Sequence, residues 1–508
     1  MKKILAMLLC LSMLFCITPI IASAEGETDT GIMADGGITS LEGLRNLANK
    51  NGNYYLANDL YVDLSSATLP LIPDTFTGNL DGRGKSILFK DKDTGALTNV
   101  NNANKKGIVF DVCRASSVKN LTVGSPDAIP TLVSNQANCG IFAQNTNAAT
   151  LFENITVYGN LVGSRTNAMN RGLILAKSGN QVKFVNCKVI GNIDIAQTHT
   201  YNVKIGGIIG TYASTSKNQT VLMSGCISEV TMTQSGGGNG FSATWGGGLI
   251  GLYDTPLTIK DEATNNYEAT NNELVIINCI TKNTPALKST AGNPIPQNSG
   301  SFYGNTSGAT VNVINCAALD VDASLETALD LTTAAEASVR FNAPTGIRFY
   351  NTVSGLYDTL VSYYGVENVK MGTVIAPKAI IETAGAFTKE ALGALNSTSA
   401  TYLDVEYANE WFSAPESEAF GSYKISANTE YEYVGSIANI LPENYTLEFC
   451  GIGYISYNDG TGWKTVYATY GEAAGIPAFS VRALAQAVYA DPNATAAEKA
   501  AVEKYLAE

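Results

Sequence analysis

"WGGGLIG", residues 245–251, matches the G-x-G-x-x-G pattern of phosphate-cradling loops at Gly246, Gly248 and Gly251. The same phrase also reads as one verse of a repeat, and the choice decides the fold. A dinucleotide loop needs a strand before it, a helix after it and an acidic residue further on. The sister phrase "IGGIIG" places Ile205 where Gly246 stands, and neither phrase has that setting. The repeat is therefore the stronger reading.

Gly followed by two mostly apolar residues recurs six times, at Gly107, Gly140, Gly172, Gly207, Gly248 and Gly300, with steps of 33, 32, 35, 41 and 52 residues. A second phrase follows each one: "SVKNLTV", "LFENITV", "KFVNCKV", "LMSGCIS", "VIINCIT" and "NVINCAA". A third, "VYGNLVG" and "VIGNIDI", trails two of them. The segments are short, β-branched and separated by Gly, Asn and Ser, as strands bounded by turns are. A fixed order of three phrases with equivalent residues at equivalent places predicts a coil of one unit per turn, its strands stacked about 4.8 Å apart.

Stacking also accounts for the cysteines. Cys187, Cys226, Cys279 and Cys316 share one slot in successive units, held earlier by Leu121 and Ile155. Such a slot points inward, and free Cys there acts as a small hydrophobe. The residue before it is Asn120, Asn154, Asn186, Asn278 or Asn315, forming an expected ladder in which amides bond along the stack and satisfy turn backbone.

The first residues carry Lys2 and Lys3, then an apolar run to about Ile21 and Ala22-Ser23-Ala24. That is the pattern of a secretory signal peptide over 1–24. The mature chain has no apolar run long enough to span a bilayer. Its formal charge of −13 becomes −15 once the two lysines of the leader are removed. An acidic surface repels nucleic acid and anionic membrane. One histidine, His199, and no C-x-x-C pair leave little for a His-based metal cluster, a zinc site or a Ser-His-Asp triad. No cofactor and no metal are expected.

"SLEGLRNLANKNGNYYLANDLYVD" places Leu41, Leu44 and Leu47 on one helical face, with a strand following. It reads as an N-terminal cap over 25–70, since an open solenoid end must be covered. "FTGNLDGRGKSILF", Phe76 to Phe89, opens the coil.

With "GGIIG", "GGLIG" and the strand phrases, the chain resembles the GLUG-motif secreted and surface proteins. That resemblance spans about Ile38 to Asp320 and implies a right-handed parallel β-helix of the pectate-lyase-like shape over 71–320. It implies adhesion, surface display or carbohydrate binding, without fixing an activity. Residues 321–338 change to Ala, Thr, Leu and acids and are expected to be a linker or a helix closing the coil. Residues 339–508 carry strands, a hairpin turning at "NDGTG" and two helices, the second opened by the capping box Thr495 to Glu498. This half resembles a module of secreted proteins of gut clostridia and implies a smaller α+β or β-sandwich-like domain.

The enzyme alternative is a polysaccharide lyase or glycoside hydrolase, which would need acids and a base meeting on adjacent turns. Glu153, Asp194 and Glu229 share no slot, and Arg165, Arg171, Lys183 and Lys204 read as scattered surface charge. "DKDTG" from Asp91 lacks the twelfth-position Glu of a calcium loop, having Asn102 there. The expectation is a non-enzymatic, extracellular or cell-surface protein of a Gram-positive bacterium. Its expected partner is a glycan or a host or cell-surface protein. The longest insertion, Leu252 to about Leu274, marks the expected binding site. Trp245, Tyr253 and Tyr267 are its aromatic platforms and Asp254, Asp261 and Glu268 its acids. A structural spacer carrying the C-terminal module is the third reading.

Overall fold

The computed structural model describes residues 31–506 except 65, 96–99, 102–104, 164–167, 196–202, 235–243, 261–266, 283–297, 321–322, 355, 396–399, 408–416, 421–422, 427–429 and 471–474. The signal peptide expected over 1–24 lies outside them. The described chain is mainly β, with long parallel sheets.

From Phe110 to Leu319 the chain revisits three sheets in a fixed order, the earlier strands from Gly37 to Asn101 all joining the largest of them. One holds Asn138–Gly140, Met169–Gly172, Val203–Gly206, Thr244–Gly247 and Asn298–Gly300, all parallel. The next begins at Phe110–Cys113 and runs through Leu175–Ser178 and Ile250–Asp254 to Tyr303–Ser307. The third and largest includes Thr150–Gly163, Lys188–Ile195, Ile227–Gln234 and Ile280–Lys282. Each strand pairs with its counterpart one unit away, in the manner of a β-helix-like solenoid. Val123, Val157 and Val189 stack in register and are fully buried.

The glycine refrain has a steric cause. A Cβ on Gly140 would meet Ala143 O at 2.2 Å, and on Gly172 it would meet Leu175 O at the same distance. The equivalent residues in the next two units are Gly206 and Gly247, where the carbonyls of Ile209 and Ile250 lie 2.0 Å from such a Cβ. This moves the aligned column one residue back from Gly207 and Gly248, because adjacent glycines leave the sequence alignment ambiguous. No side chain fits where the chain turns against its own carbonyl three residues on.

The asparagines turn the chain with positive φ. Asn120, Asn154, Asn186, Asn278 and Asn315 lie at φ between +47° and +53°, and Gly225 at +61° fills the same slot. Asn is among the few side chains that tolerate this left-handed region. Here it also re-phases the strand: Phe152 and Ile155 both face the core, with Glu153 and Asn154 between them facing out. Asn154 Nδ2 donates to Asn120 Oδ1 at 2.8 Å, and Asn315 Nδ2 donates to Asn278 Oδ1 at 2.7 Å.

Cys187, Cys226, Cys279 and Cys316 follow these turns, all as free thiols, the first three buried and Cys316 partly so. Each donates to a carbonyl of the preceding turn: Phe152, Phe184, Met223 and Ile276, at 3.4–3.6 Å. Around them Phe142, Phe152 and Phe184 fill the interior, the last two stacked at 5.3 Å. Packing of this kind encloses the sulfurs of Cys187, Cys226 and Cys279.

At the N-terminal end Ser40 caps the short helix Leu41–Arg45, and Leu44 and Leu47 are fully buried. Gly37–Ile38 and Asn53–Leu56 add parallel strands that lead through Asn79–Asp81 into the largest sheet.

Of the segment expected over 321–338 as a linker or closing helix, residues 321–322 lie outside the described residues, and 323–338 enter the C-terminal half as a short turn and a strand. A 3-10 turn, Leu325–Ala328, is followed by the strand Leu331–Val339, which pairs antiparallel with Gly346–Ser354. Leu331 and Val339 are buried, and that burial draws the segment into the C-terminal half. Glu430–Ala438 completes that sheet. A second antiparallel sheet orders Leu403–Tyr407, Val369–Pro377, Phe449–Asn458 and Trp463–Tyr467. Helices Leu356–Tyr364, Val481–Ala490 and Ala496–Val502 pack beside these sheets.

Candidate functional site

The insertion after Leu252 does not gather its expected residues into one site. Tyr253 lies in register with Tyr212, stacks on it at 4.8 Å and is fully buried, its hydroxyl donating to Glu273 O at 3.1 Å. It is core and no platform, because its slot in the strand Ile250–Asp254 faces inward. Tyr267 and Glu268 sit on a small antiparallel hairpin, Thr258–Lys260 with Tyr267–Ala269. Tyr267 is 71% exposed, and Glu268 is ion-paired with Lys217. Trp245 faces outward between Lys204 and Asn298, with the Lys204 ammonium 5.5 Å from its ring centroid. Burial lowers the Lys204 pKa, opposed by the nearby charge of Asp254. Trp245 and Asp254 are thus joined through Lys204, while Tyr267 and Glu268 turn to Lys217. Asp261 lies outside the described residues.

The scattered charges of the coil also find partners. Glu153 is in register with Lys119 and 2.6 Å from it, and Asp194 accepts from Thr233 Oγ1 at 3.0 Å. Arg171 is not surface charge: it is fully buried and donates to the carbonyls of Ala137, Asn170 and Gln136 at 2.8–3.1 Å. It ties a loop to the sheet, since a buried guanidinium requires such acceptors. Among the described residues no three His, Cys, Asp or Glu side chains are grouped to hold a metal ion. No helix there is long and apolar enough to cross a membrane.

A different site forms where the helix Leu356–Tyr364 docks on the outward face of the largest sheet. Leu356 and Leu360 bury against Ile227 and Ile280, with Leu325 beside them. Thr359 Oγ1 donates to Asn278 O at 2.7 Å, fastening the helix to one of the asparagine turns. Apolar contact and a bonded carbonyl fix the helix here, and its last turn then sets Tyr363 against Lys188 and Glu229 of the sheet, with Tyr364 beside it.

A cleft of about 540 Å³ opens there, between the coil and the C-terminal half. The coil contributes Lys188, Glu229 and Lys282; the other wall includes Tyr363, Tyr364, Tyr457 and the Asn458 to Lys464 hairpin turn. Tyr364 and Tyr457 stack at 5.1 Å, and Tyr363 meets Tyr364 edge-on at 4.7 Å. Glu229 accepts from the Tyr363 hydroxyl at 2.9 Å and lies 3.7 Å from Lys282, its register neighbour. Asp459 is paired with Lys464, whose hydrogen bond holds its carboxyl well below the usual range. Tyr457 and Glu326 line the same wall, and the Glu326 carboxylate adds to burial in raising the Tyr457 hydroxyl pKa.

Lys188 stands apart from these pairs. Its ammonium lies 3.3 Å from the centroid of the Tyr363 ring, and among the described residues it has no ion pair. Burial brings its pKa down to about 8, against the opposing pull of Glu229. Burial raises the hydroxyl pKa values of Tyr363, Tyr364 and Tyr457, so all three are neutral donors. Neutral phenols, aromatic faces and half-buried charges make a site suited to a polyhydroxylated ligand. Sequence reasoning singled out Glu229 as an isolated acid and missed the cleft, because its other wall lies about a hundred residues or more downstream. The run Tyr363-Tyr364 at the end of an amphipathic helix was the available signal.

Over 165 residues, 32% of its length, the chain is 31% identical to an Immunoglobulin A1 protease of Streptococcus sanguinis. The match spans 8% of that curated relative's length. No family model matches the chain, and no solved structure matches it.

Proposed function

We propose that the chain is an extracellular bacterial protein of the GLUG kind, a right-handed parallel β-helix bearing a smaller α+β module. In this reading its role is the non-catalytic binding of a glycan, in adhesion or surface display. The observation that carries it is the cleft between the two halves, with the Tyr364 and Tyr457 rings beside carboxylates that already have protein partners. Paired carboxylates hold hydroxyls well and are poor free acids or bases, since each proton transfer would cost an ion pair. The match to an Immunoglobulin A1 protease covers too little of that protein to bring an activity with it.

A second reading rests on Lys188. An amine with a pKa near 8 is suited to removing a proton beside a sugar carboxylate. The glycosidic oxygen would then leave and an unsaturated end would remain. The two readings separate in one experiment: the mature chain is screened for binding on a glycan array and incubated with the glycans it retains. Retention with no new unsaturated or reducing ends supports binding alone. Release of such ends contradicts it and favours the lyase or hydrolase.

A further inference from the structure

Beside the cleft lies a second, smaller cavity of about 190 Å³, also between the docked helix and the sheet. Its sheet side carries Thr122, Thr156 and Tyr158, and its helix side Thr359 and Ser362. Lys188 and Tyr363 line both cavities. Thr122, Thr156 and Lys188 are register neighbours on successive turns of the coil, so the hydroxyl row ends in the ammonium. The two cavities share Lys188 and Tyr363 and so make a two-part groove, lined by hydroxyls, tyrosine rings and charges with Ile227 and Cys187 among them.

Two groups in this groove lack what their chemistry demands. Lys188 is a partly desolvated cation set against a ring face, with Glu229 near it but already ion-paired to Lys282, while the other two lysines of the cleft each hold an ion pair with a carboxylate. A cation drawn out of water gains most from a counter-anion, and a π-face replaces only part of that. Glu326 lies beside Tyr457 in the cleft wall, and its Oε2 is buried and without a hydrogen-bond partner among the described residues. A buried carboxylate oxygen in that state requires a donor. The groove thus calls for an anion at its waist and a hydroxyl in its larger half.

We propose that Lys188 is the anion-recognising residue of this two-part groove, and that the ligand is an oligosaccharide bearing a sugar carboxylate. The carboxylate meets the Lys188 ammonium, a hydroxyl of a residue in the larger half donates to Glu326, and the neighbouring residue lies along Thr122, Thr156 and Ser362. This rests on the glycan-binding reading and specifies its ligand class.

The test uses the full mature chain and calorimetric titration with hexuronate oligosaccharides of several linkages, their carboxyl-reduced neutral counterparts, and polyglutamate peptides. The expected result is binding of an acidic oligosaccharide that weakens at least tenfold on carboxyl reduction and at least tenfold in Lys188→Gln. Lys188→Arg, which keeps the charge, retains most of the affinity and controls for folding, as does a urea midpoint in Lys188→Gln no lower than that of the parent chain. Equal affinity for the reduced and acidic forms, or full affinity in Lys188→Gln, overturns the anion assignment while leaving glycan binding in place. Tighter binding of polyglutamate than of any sugar overturns the sugar assignment. Failure of every oligosaccharide, acidic and neutral, overturns the glycan reading itself.

Discussion

The hydroxyl of Tyr363 donates to Glu229 Oε1 at 2.9 Å across 134 residues of sequence. That bond joins the helix Leu356–Tyr364 to the outward face of the largest sheet, and with Thr359 on Asn278 O it brackets the apolar contact between them. The cleft exists because these two halves meet there.

Replacing Tyr363 with Phe keeps the ring under Lys188 and removes the donor to Glu229. The expected loss is about 1 kcal/mol, the usual worth of such a bond where one partner stays solvated in part. Urea unfolding measures it, and limited proteolysis at the junction shows whether the helix undocks more often. Glu229→Gln in the Tyr363→Phe background is expected to cost less than it does alone, because the two groups act as a pair.

The asparagine turns predict an unusual ranking. Asn154→Gly is expected to be nearly neutral for the backbone, whereas Asn154→Ala costs about 1–2 kcal/mol for a side chain held at positive φ. Gly140→Ala is expected to cost more, since the new Cβ meets a carbonyl oxygen that has nowhere to move. Chemical denaturation of the three variants checks the order.

Much of this coil was legible in the sequence. Repetition exposes a slot even when its cause is hidden, so the Gly, Asn and Cys columns stood out before their φ angles or packing were known. Gly206 and Gly207 are adjacent, and identity alone could not say which one meets the carbonyl of Ile209. Tyr253 was misread for a related reason: it adjoins the long insertion, yet it falls six residues after Gly247, as Tyr212 falls after Gly206. Counted that way it shares the inward slot of Tyr212. The cleft was not legible, because the pairing of Glu229 with Tyr363 obeys no period and arises only when the C-terminal half docks.

The thiols are expected to be inert in the folded chain. Cys187, Cys226 and Cys279 are enclosed, and burial pushes the pKa of Cys113 up to about 12 and that of Cys450 to about 11. Iodoacetamide at pH 8 is expected to label these sites only after urea is added, because the reactive species is the thiolate. Mass spectrometry of the labelled peptides reports each site. Rapid labelling at Cys226 or Cys279 in native buffer would show that the column is open.

Lys188 gives a pH signature. It faces Glu229 and Lys282 on the sheet and Tyr363 on the docked helix, and burial holds its pKa at about 8. In the unfolded chain the amine returns to about 10.4. Between those values the unfolded state carries a proton that the folded state has lost, so stability from this residue rises with pH from about 8 to about 10. Lys188→Met is expected to flatten that rise, seen as a smaller difference between urea midpoints at pH 7.5 and 9.5. Anion binding by Lys188 runs the other way and weakens as pH climbs through 8.

If ligand binds in the cleft between the coil and the C-terminal half, Tyr364→Ala removes one of its aromatic walls. A glycan retained by the chain is titrated against this variant and against one with Tyr267→Ala and Trp245→Ala on the coil's insertion face. At least tenfold weaker binding is expected for Tyr364→Ala and unchanged binding for the double variant. Unchanged affinity in Tyr364→Ala, with loss in the double variant, would place the site on the insertion and contradict binding in the cleft.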